Sequence, residues 1–283
     1  MELTDGANAA SVHTFGAFEL TYGDRPVERW KAGKSRSLLQ FLLLRPGRIV
    51  SRDVLYDALW PDAPRSKDSS SLKVAAHMLR TILEANGPAL QLVTRESGYL
   101  LAAHDVSVDF DDFVALADRA HAAQLSGDRA GAAELYRRAV ARCTGDFLPD
   151  VTYDWAAVER EWLRSRLLCA LTYLTEADLG RGDHVGVIRW CRRMLEAEPL
   201  HEPTYRALIL VHAHLGQLAQ VDRWYRLCSF LLRRHLQVAP EPATQRLHAR
   251  AVRGELTGRT LDPRCWQREL APVDGAALLR TPA

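Results

Sequence analysis

The sequence has little of several features that mark whole classes of protein. Its five cysteines lie far apart, at positions 143, 169, 191, 228 and 265, so they form neither a CxxC metal site nor a disulfide framework. No apolar run approaches the roughly 18 residues that a transmembrane helix needs. The acidic opening, MELTDGANAAS, lacks the apolar stretch of a signal peptide. Together these absences predict a cytoplasmic protein.

Catalytic motifs are also missing. The tripeptide GKS at 33–35 matches the end of a phosphate-binding loop, but Glu28 occupies the position where that motif needs a glycine. His212 and His214 lie two positions apart on a predicted helix, so they point about 200° apart and cannot share one metal ion. Neither GxSxG nor HExxH occurs in the sequence. We therefore predict no enzyme activity, no cofactor and no metal site.

Charge is unevenly distributed along the chain, although the formal net charge is only +2. Residues 12–104 carry 13 basic and nine acidic side chains, residues 105–198 carry 12 and 17, and residues 199–283 carry 12 and seven. All four lysines lie within the first 73 residues. The basic excess of the first part permits nucleic-acid binding. The acidic middle part is expected to be repelled by phosphate.

Residues 66–83 (SKDSSSLKVAAHMLRTIL) predict an amphipathic helix. At about 100° per residue, five apolar side chains share one face, namely Leu72, Ala75, Ala76, Leu79 and Leu83. The opposite face carries Ser70, Lys73, Val74, His77, Arg80 and Thr81. Residues 93–101 (VTRESGYLL) then predict a β-hairpin with Arg95 near its tip and Gly98 at the turn exit. Such a helix followed by such a hairpin is how a winged helix meets DNA.

The preceding residues favour the same interpretation. Two helices are predicted, Lys34–Arg45 and Arg52–Trp60, the second with Ser51 as its N-cap and Pro61 as its stop. Residues 13–20 (HTFGAFEL) alternate like a strand and precede a turn at 22–25. Strands, three helices and a hairpin follow one another as in an OmpR-type winged helix, which we predict for residues 12–104.

Roles on DNA can be predicted for the polar side chains of this unit. Lys73 and His77 are expected to face base edges, completed by Ser70 and Val74, with Arg80 nearer the DNA backbone. Sequence-independent phosphate contacts are predicted for four cations, Arg95, Lys34, Arg36 and Arg52. Two alternatives remain: a solvated polar face that binds nothing, and a helical-repeat adaptor whose winged helix mediates protein contacts. An adaptor has no need of a shared cationic surface.

From about Asp109 the chain consists of predicted helix pairs. Residues 182–195 (GDHVGVIRWCRRML) and 216–229 (GQLAQVDRWYRLCS) match at an offset of 34, and 127–140 (GDRAGAAELYRRAV) is similar to both. Partner helices are predicted at Phe110–Leu125, Trp155–Leu179 and Thr204–Leu215. The period is that of tetratricopeptide repeats, whose aromatic residues are expected to be packing residues.

The predicted fold class is therefore mainly α. An N-terminal winged helix-turn-helix with small β-sheets is followed by an all-α, tetratricopeptide-like helical-repeat domain over residues 109–256. Residues 257–283 are predicted to be a C-terminal tail.

The segments FGAFE (15–19), KSRSLLQFLLL (34–44), VS (50–51), LYDALWP (55–61), LKVAAHMLRTIL (72–83), LVTRESGYLL (92–101) and LQVAPEPAT (236–244), followed by Leu247, resemble one known pattern. It is that of the Streptomyces antibiotic regulatory protein family, which joins an OmpR-type winged helix to a bacterial transcriptional activation domain. The resemblance covers about residues 12–256. Gln237 stands where the family tends to have glycine, and Met78 where it usually has a basic residue.

The resemblance implies a transcriptional activator of a secondary-metabolite, or antibiotic, gene cluster. It implies that two copies bind side by side to short direct repeats in double-stranded promoter DNA and engage RNA polymerase holoenzyme, including its sigma factor. It also implies a nucleoid-associated protein without membrane contact, in the short form that lacks a downstream nucleotide-binding module. A fragment of residues 1–106 is expected to fold and recognise DNA without activating transcription.

Overall fold

The computed structural model describes residues 9–28, 30, 32–63 and 70–258, and these ranges contain seven strands and ten α-helices. The strands are β1 (Ala10–His13), β2 (Glu19–Tyr22), β3 (Arg25–Pro26), β4 (Val50–Ser51), β5 (Leu90–Arg95), β6 (Gly98–Ala103) and β7 (Val106–Val108). The helices are α1 (Lys34–Leu43), α2 (Arg52–Leu59), α3 (Ser70–Asn86), α4 (Asp109–Leu125), α5 (Arg129–Arg142), α6 (Asp154–Gly180), α7 (His184–Ala197), α8 (Glu202–His214), α9 (Leu218–Leu236) and α10 (Pro242–Val252). The mainly α fold class is confirmed.

The chain divides into two compact units. The first unit comprises Met1–Leu116 and Ala141–Arg164, and the second comprises Ala117–Val140 and Ser165–Ala283. The first four residues of the helix predicted at 66–83, and nearly all of the predicted tail at 257–283, lie outside the described residues.

A four-stranded sheet opens the first unit, in the order β3-β2-β1-β7. β1 and β2 are antiparallel, whereas β1 and β7 are parallel and pair Ala10 with Val106. The predicted turn at 22–25 is confirmed, since it joins β2 to β3. The sequence did not predict β7, which has three residues, or β3 and β4, which have two each.

The predicted strand-like alternation over residues 13–20 is wrong in its middle, because β1 ends at His13 and β2 begins at Glu19. The backbone amides of Thr14 and Phe15 donate to the buried Asp109 carboxylate, at 2.8–2.9 Å and 3.1 Å, instead of to a neighbouring strand. The Thr14 hydroxyl also donates to this carboxylate, at 2.5 Å. A carboxylate from a position 95 residues away therefore replaces the ladder hydrogen bonds here.

The three helices α1, α2 and α3 pack around a common apolar interior. Leu38, Leu39 and Leu42 of α1 are completely buried, as are Leu55 and Leu59 of α2. The Ser51 hydroxyl accepts the Val54 amide at 3.3 Å, so the predicted N-cap of α2 is confirmed.

A second sheet, in the order β4-β6-β5, lies against these helices. Gly98 pairs with Ser51 in this sheet, and a Cβ added at Gly98 would stand 1.9 Å from the carbonyl oxygen of Val50. Only glycine therefore allows β4 and β6 to approach so closely.

The segment Ala141–Arg164 completes the interior of the first unit. Its Phe147 ring meets the rings of Phe15 and Phe110 edge to face, with centroids 6.3 Å and 5.5 Å away. The Arg160 guanidinium donates to three backbone carbonyl oxygens within the same segment, at 2.8–3.0 Å. Trp155 contacts Phe41 of α1, at a centroid distance of 5.3 Å. Residues beyond position 140 thus form part of the core that contains the three helices.

The second unit contains the tetratricopeptide-like helix pairs predicted from the sequence. Gly127, Gly182 and Gly216 end helices with φ of +84°, +71° and +70°. After the first two glycines, the carboxylates of Asp128 and Asp183 accept the amide three positions on, at 2.9 Å each. The repeat aromatic residues Tyr136 and Trp190 are buried and half-buried, respectively, as expected of packing residues.

Helix α9 of this unit ends in a left-handed residue that is not glycine. The C-cap residue of α9 is Gln237, which has φ of +60° and ψ of 28°. This left-handed conformation is the one that favours glycine. It explains physically why a glycine at this position is typical of the family that the sequence resembles.

Candidate nucleic-acid interface

Helix α3 presents one face to the core of the first unit and one to solvent. The five apolar residues predicted to face the core, Leu72, Ala75, Ala76, Leu79 and Leu83, are all at most 5% exposed. Five of the six residues predicted for the opposite side are exposed, namely Ser70, Lys73, Val74, His77 and Thr81. Met78 is also exposed, at 53%. We call Ser70, Lys73, Val74, His77, Met78 and Thr81 the outer face of α3.

The sixth predicted residue, Arg80, is half-buried and engaged within the protein. Its Nη2 donates to the Thr94 hydroxyl at 2.8 Å, and its Nε donates to the carbonyl oxygen of Leu92 at 3.4 Å. Both acceptors belong to β5. Arg80 therefore fixes α3 to the hairpin, and its contact with the DNA backbone stays a prediction.

The hairpin β5–β6 is regular up to its tip. Six residue pairs join the strands, from Leu90 with Ala103 to Arg95 with Gly98. This confirms the predicted hairpin and the place of Gly98 at the turn exit. The side chain of Arg95 is exposed at the tip, next to Glu96. The hairpin thus carries one outward cation where a wing would meet a phosphate.

Arg52, at the start of α2, forms hydrogen bonds with the backbone of this tip. Its guanidinium donates to the carbonyl oxygens of Arg95, at 3.1 Å, and of Glu96. It also lies 5.8 Å from the centroid of the Tyr99 ring. Two backbone carbonyl groups of the tip are satisfied in this way by a positive charge.

The other two predicted phosphate contacts are also engaged. The Lys34 ammonium donates to the Leu59 carbonyl oxygen and, at 2.8 Å, to the Tyr153 hydroxyl. The rings of Trp60 and Tyr153 lie 5.1 Å and 5.0 Å from it. Lys34 is therefore held in a cation–π cage that joins α1, α2 and the 141–164 segment.

Arg36 is held by a single aromatic residue. Its Nη2 donates to the Phe18 carbonyl oxygen at 3.1 Å, and its guanidinium lies over the Phe18 ring at 4.9 Å. Phosphate contacts by Lys34, Arg36 and Arg52 stay predictions, and in the structure all three make internal contacts.

Sequence reasoning placed the cations on the right elements but did not find the internal contacts of Arg80 and Arg52. A weak signal existed, since a long side chain one turn from a core residue can lie along the adjacent strand. Sequence reasoning also left Met78 off the outer face, although its helical angle places it beside Val74.

Two features are absent from the described part of the chain. It contains no group of three or more His, Cys, Asp or Glu side chains that could hold a metal ion. None of its ten helices has both the length and the hydrophobicity of a membrane-spanning segment.

Comparisons with known proteins identify the families that the chain matches. Residues 30–101 match the family model of the C-terminal domain of transcriptional regulatory proteins, and residues 108–252 match the bacterial transcriptional activator domain. The regulatory protein AfsR of Streptomyces coelicolor is 30% identical over 239 residues, which are 81% of this chain and 24% of AfsR. The chain thus spans about a quarter of the length of AfsR.

Two further proteins are similar over most of the chain. The regulatory protein DnrI of Streptomyces peucetius is 25% identical over 232 residues, covering 79% of this chain and 85% of DnrI. The structure of Mycobacterium tuberculosis EmbR in complex with a low-affinity phosphopeptide superposes with a TM-score of 0.70 and 24% identity. It covers 93% of this chain and 69% of EmbR, and it confirms the fold.

Proposed function

This chain belongs to the bacterial transcriptional activator domain family, as a transcriptional regulator of the Streptomyces antibiotic regulatory protein type, and from that premise we propose a specific activity. The family consists of regulators, including regulators of antibiotic gene clusters, and not of enzymes. We propose that this chain binds promoter DNA through α3 and the β5–β6 hairpin and activates a secondary-metabolite gene cluster.

The outer face of α3 carries this proposal. Lys73 and His77 lie one turn apart and are exposed, while the back of the helix is fixed by its apolar contacts and by Arg80. Ser70 adds a hydroxyl on the same side. A fixed helix that offers donors to solvent fits the major groove, where base edges present acceptors. Arg95 at the hairpin tip is placed on the same unit to meet a phosphate or the minor groove.

The family relationship supports the further proposal that two copies bind side by side to direct repeats. Direct repeats relate the two copies by translation along the DNA, so each copy presents the same face to its own repeat. Binding of the second copy is then favoured by the first if the copies touch.

The family relationship also supports contact with RNA polymerase holoenzyme, including its sigma factor, and we assign this contact to α9. Six of its residues lie within an arc of about 120° and are exposed, namely Arg223, Arg226, Leu227, Phe230, Arg233 and Arg234. Phe230 is 56% exposed, and Arg234 lies 5.9 Å from its ring. An exposed aromatic residue among arginines is typical of protein-interaction surfaces.

The test of DNA binding uses the full chain and duplexes from promoters of neighbouring genes, in retardation and footprinting experiments. Lys73→Ala should weaken specific binding by about 1–3 kcal/mol and relax preference at one position if Lys73 holds a base. Arg192→Ala, on the exposed surface of α7, is the matched control and should bind normally.

Unchanged affinity in both Lys73→Ala and His77→Ala would show that α3 does not read the DNA. A full chain that retards no duplex would favour the adaptor alternative. With purified polymerase, Phe230→Ala should reduce transcription while leaving the footprint intact, and a normal transcript level would contradict the role of α9.

A further inference from the structure

The outer face of α3 is divided lengthwise into chemically different edges. At 100° per residue, Lys73 lies on the same edge as Arg80, which contacts β5. Ser70 and His77 occupy the middle of the face. Val74 and Met78 lie on the edge away from the hairpin, one turn apart, so their side chains are neighbours.

The edge away from the hairpin is apolar and exposed. Val74 is 54% exposed and Met78 is 53% exposed. Isolated exposed apolar side chains are ordinary, but these two adjoin each other on a helix whose core face already contains five buried apolar residues. The core of the first unit does not explain them.

Thr81 lies one turn beyond His77 and adjoins this edge, at a helical angle between those of Ser70 and Val74. Its hydroxyl donates to the backbone carbonyl oxygen of His77 at 3.0 Å, within the helix itself. Because the hydroxyl is turned back to the helix, the γ-methyl group is the part of the exposed side chain left to meet a ligand. Val74, Met78 and Thr81 stand at positions i, i+4 and i+7 and form a methyl-rich stripe.

We propose that this stripe reads the C5-methyl groups of thymines in the operator, an inference that rests on the DNA-binding function proposed above. In the major groove, thymine is the base that presents a methyl group, and apolar side chains and the threonine methyl are its partners. The stripe borders the hydrogen-bonding middle of the outer face, so one helix contacts donors, acceptors and methyl groups in adjacent base pairs. A buried methyl group without hydrogen bonds discriminates by its contact area alone.

The experiment uses the full chain and an operator selected from a random duplex pool. Each dT of one repeat is replaced in turn by dU, which pairs identically but lacks the methyl group. One or two positions in the repeat should bind about three- to fivefold more weakly after replacement, as expected for loss of one buried methyl contact.

Three variants connect the lost methyl group to the stripe. Val74→Ala, Met78→Ala and Thr81→Ser each remove apolar contact, and Thr81→Ser keeps the hydroxyl. At least one of these variants should bind the dU duplex as well as the dT duplex, because the substitution has already removed the side-chain contact with the thymine methyl group. Ile49→Ala is the matched control, since Ile49 is 53% exposed outside α3, and it should keep the full dU effect.

The outcomes separate this inference from the proposed function. Specific binding that no dU replacement weakens would overturn the thymine assignment and leave DNA binding intact. A dU effect that persists in all three variants would also overturn it, because another residue would then contact the methyl group. Failure to select any sequence would instead contradict the proposed function.

Discussion

Two regions of the first unit are rich in positive charge and use it differently. On the outer face of α3 and at the hairpin tip, Lys73 and Arg95 extend into solvent. Behind them, Lys34, Arg52 and Arg80 donate to carbonyl oxygens and hydroxyl groups of the same unit. The first region is available to a ligand, and the second is engaged in contacts within the unit.

The difference shows that the basic residues of a sequence cannot all be assumed to contact a ligand. A guanidinium has five donors and can satisfy backbone carbonyl groups that an apolar side chain would leave unpaired. Arg80 fixes α3 to β5 and Arg52 binds the hairpin tip, whereas Lys34 joins α1, α2 and the 141–164 segment. Pre-organisation of this kind reduces the entropy lost on binding.

The largest effect is expected from removing the segment that completes the interior. A fragment of residues 1–106, expected from the sequence to fold alone, lacks Asp109, Phe147 and Trp155. It also lacks Phe113, which is completely buried and meets the Phe15 ring edge to face. Each buried phenylalanine lost costs about 3–5 kcal/mol, so the sum is comparable with the whole stability of a small domain. We expect no cooperative urea transition from this fragment.

A fragment of residues 1–164 is the control for that truncation, because it contains every segment of the first unit. It should unfold cooperatively. A cooperative transition of fragment 1–106 at the same urea concentration would show that the 141–164 segment is dispensable and that the boundary near residue 104 is a true folding boundary.

The next largest effect concerns Asp109, whose carboxylate accepts the amides of Thr14 and Phe15 and the Thr14 hydroxyl. In Asp109→Asn, the side chain keeps only one acceptor oxygen, whereas the carboxylate has two oxygens for its three hydrogen-bond donors. A buried donor left unpaired costs about 1–3 kcal/mol. Urea unfolding of the full chain should show this loss. An unchanged urea midpoint would mean that β1 and β2, on either side of residues 14–18, are stable without the Asp109 carboxylate.

Asp111→Asn is the matched control, two residues along α4. Partial desolvation, together with the carboxylates of Asp112 and Asp109, raises the pKa of Asp111 to about 6. The Asp111 carboxyl group therefore binds its proton more tightly in the folded state than in the unfolded state. The protonated carboxyl group contributes stability at low pH, and this contribution is lost as the pH rises through 6. Asp111→Asn should be nearly neutral near pH 4 and stabilising at pH 7, because asparagine carries no charge to desolvate.

The helices were largely predictable from the sequence because their signals are local. The core face of α3 follows from a period of 3.6 residues, and the repeat turns follow from glycines that precede each helix. The strand β7 was not predictable, because three residues carry too little pattern and pair with β1, almost 100 positions away. The same distance hid the role of Asp109.

A smaller effect distinguishes the two groups of cations directly. Arg95→Ala should flatten the plot of log affinity against log salt by about one unit, because one phosphate contact is lost, and should weaken specific and random DNA alike. Arg80→Ala should leave the slope unchanged and lower the free energy of unfolding by about 1 kcal/mol. Equal flattening in both variants would restore Arg80 as a phosphate contact.

The candidate interface was predictable in its elements and only partly in its roles. The side of a helix on which a residue lies follows from its position, which is why Lys73, His77 and Thr81 are found exposed. What a long cationic side chain contacts depends on tertiary neighbours, such as Thr94 for Arg80 and Tyr153 for Lys34. Those neighbours are set by packing and leave no mark in the local sequence.

The smallest effect is expected in the second unit, at Gln237. A residue with a Cβ is strained in the left-handed conformation, whereas glycine is not, although glycine also gains entropy when the chain unfolds. Gln237→Gly should therefore raise the free energy of unfolding by about 0.5 kcal/mol. Gly216→Ala, with φ of +70°, is the reverse control and should lower it. A destabilised Gln237→Gly would indicate that the glutamine side chain matters more than the strain.

The interrupted chain path of the first unit has a consequence for synthesis. On the ribosome, α1, α2 and α3 emerge well before Phe147 and Trp155, and the α4–α5 region is made in between. At roughly 5–20 residues per second, the apolar surface that these aromatic residues cover stays open for several seconds. The first unit therefore exists for a time as a partly assembled intermediate, and the outer face of α3 becomes rigid only after Ala117–Val140, the first segment of the second unit, has also left the exit tunnel.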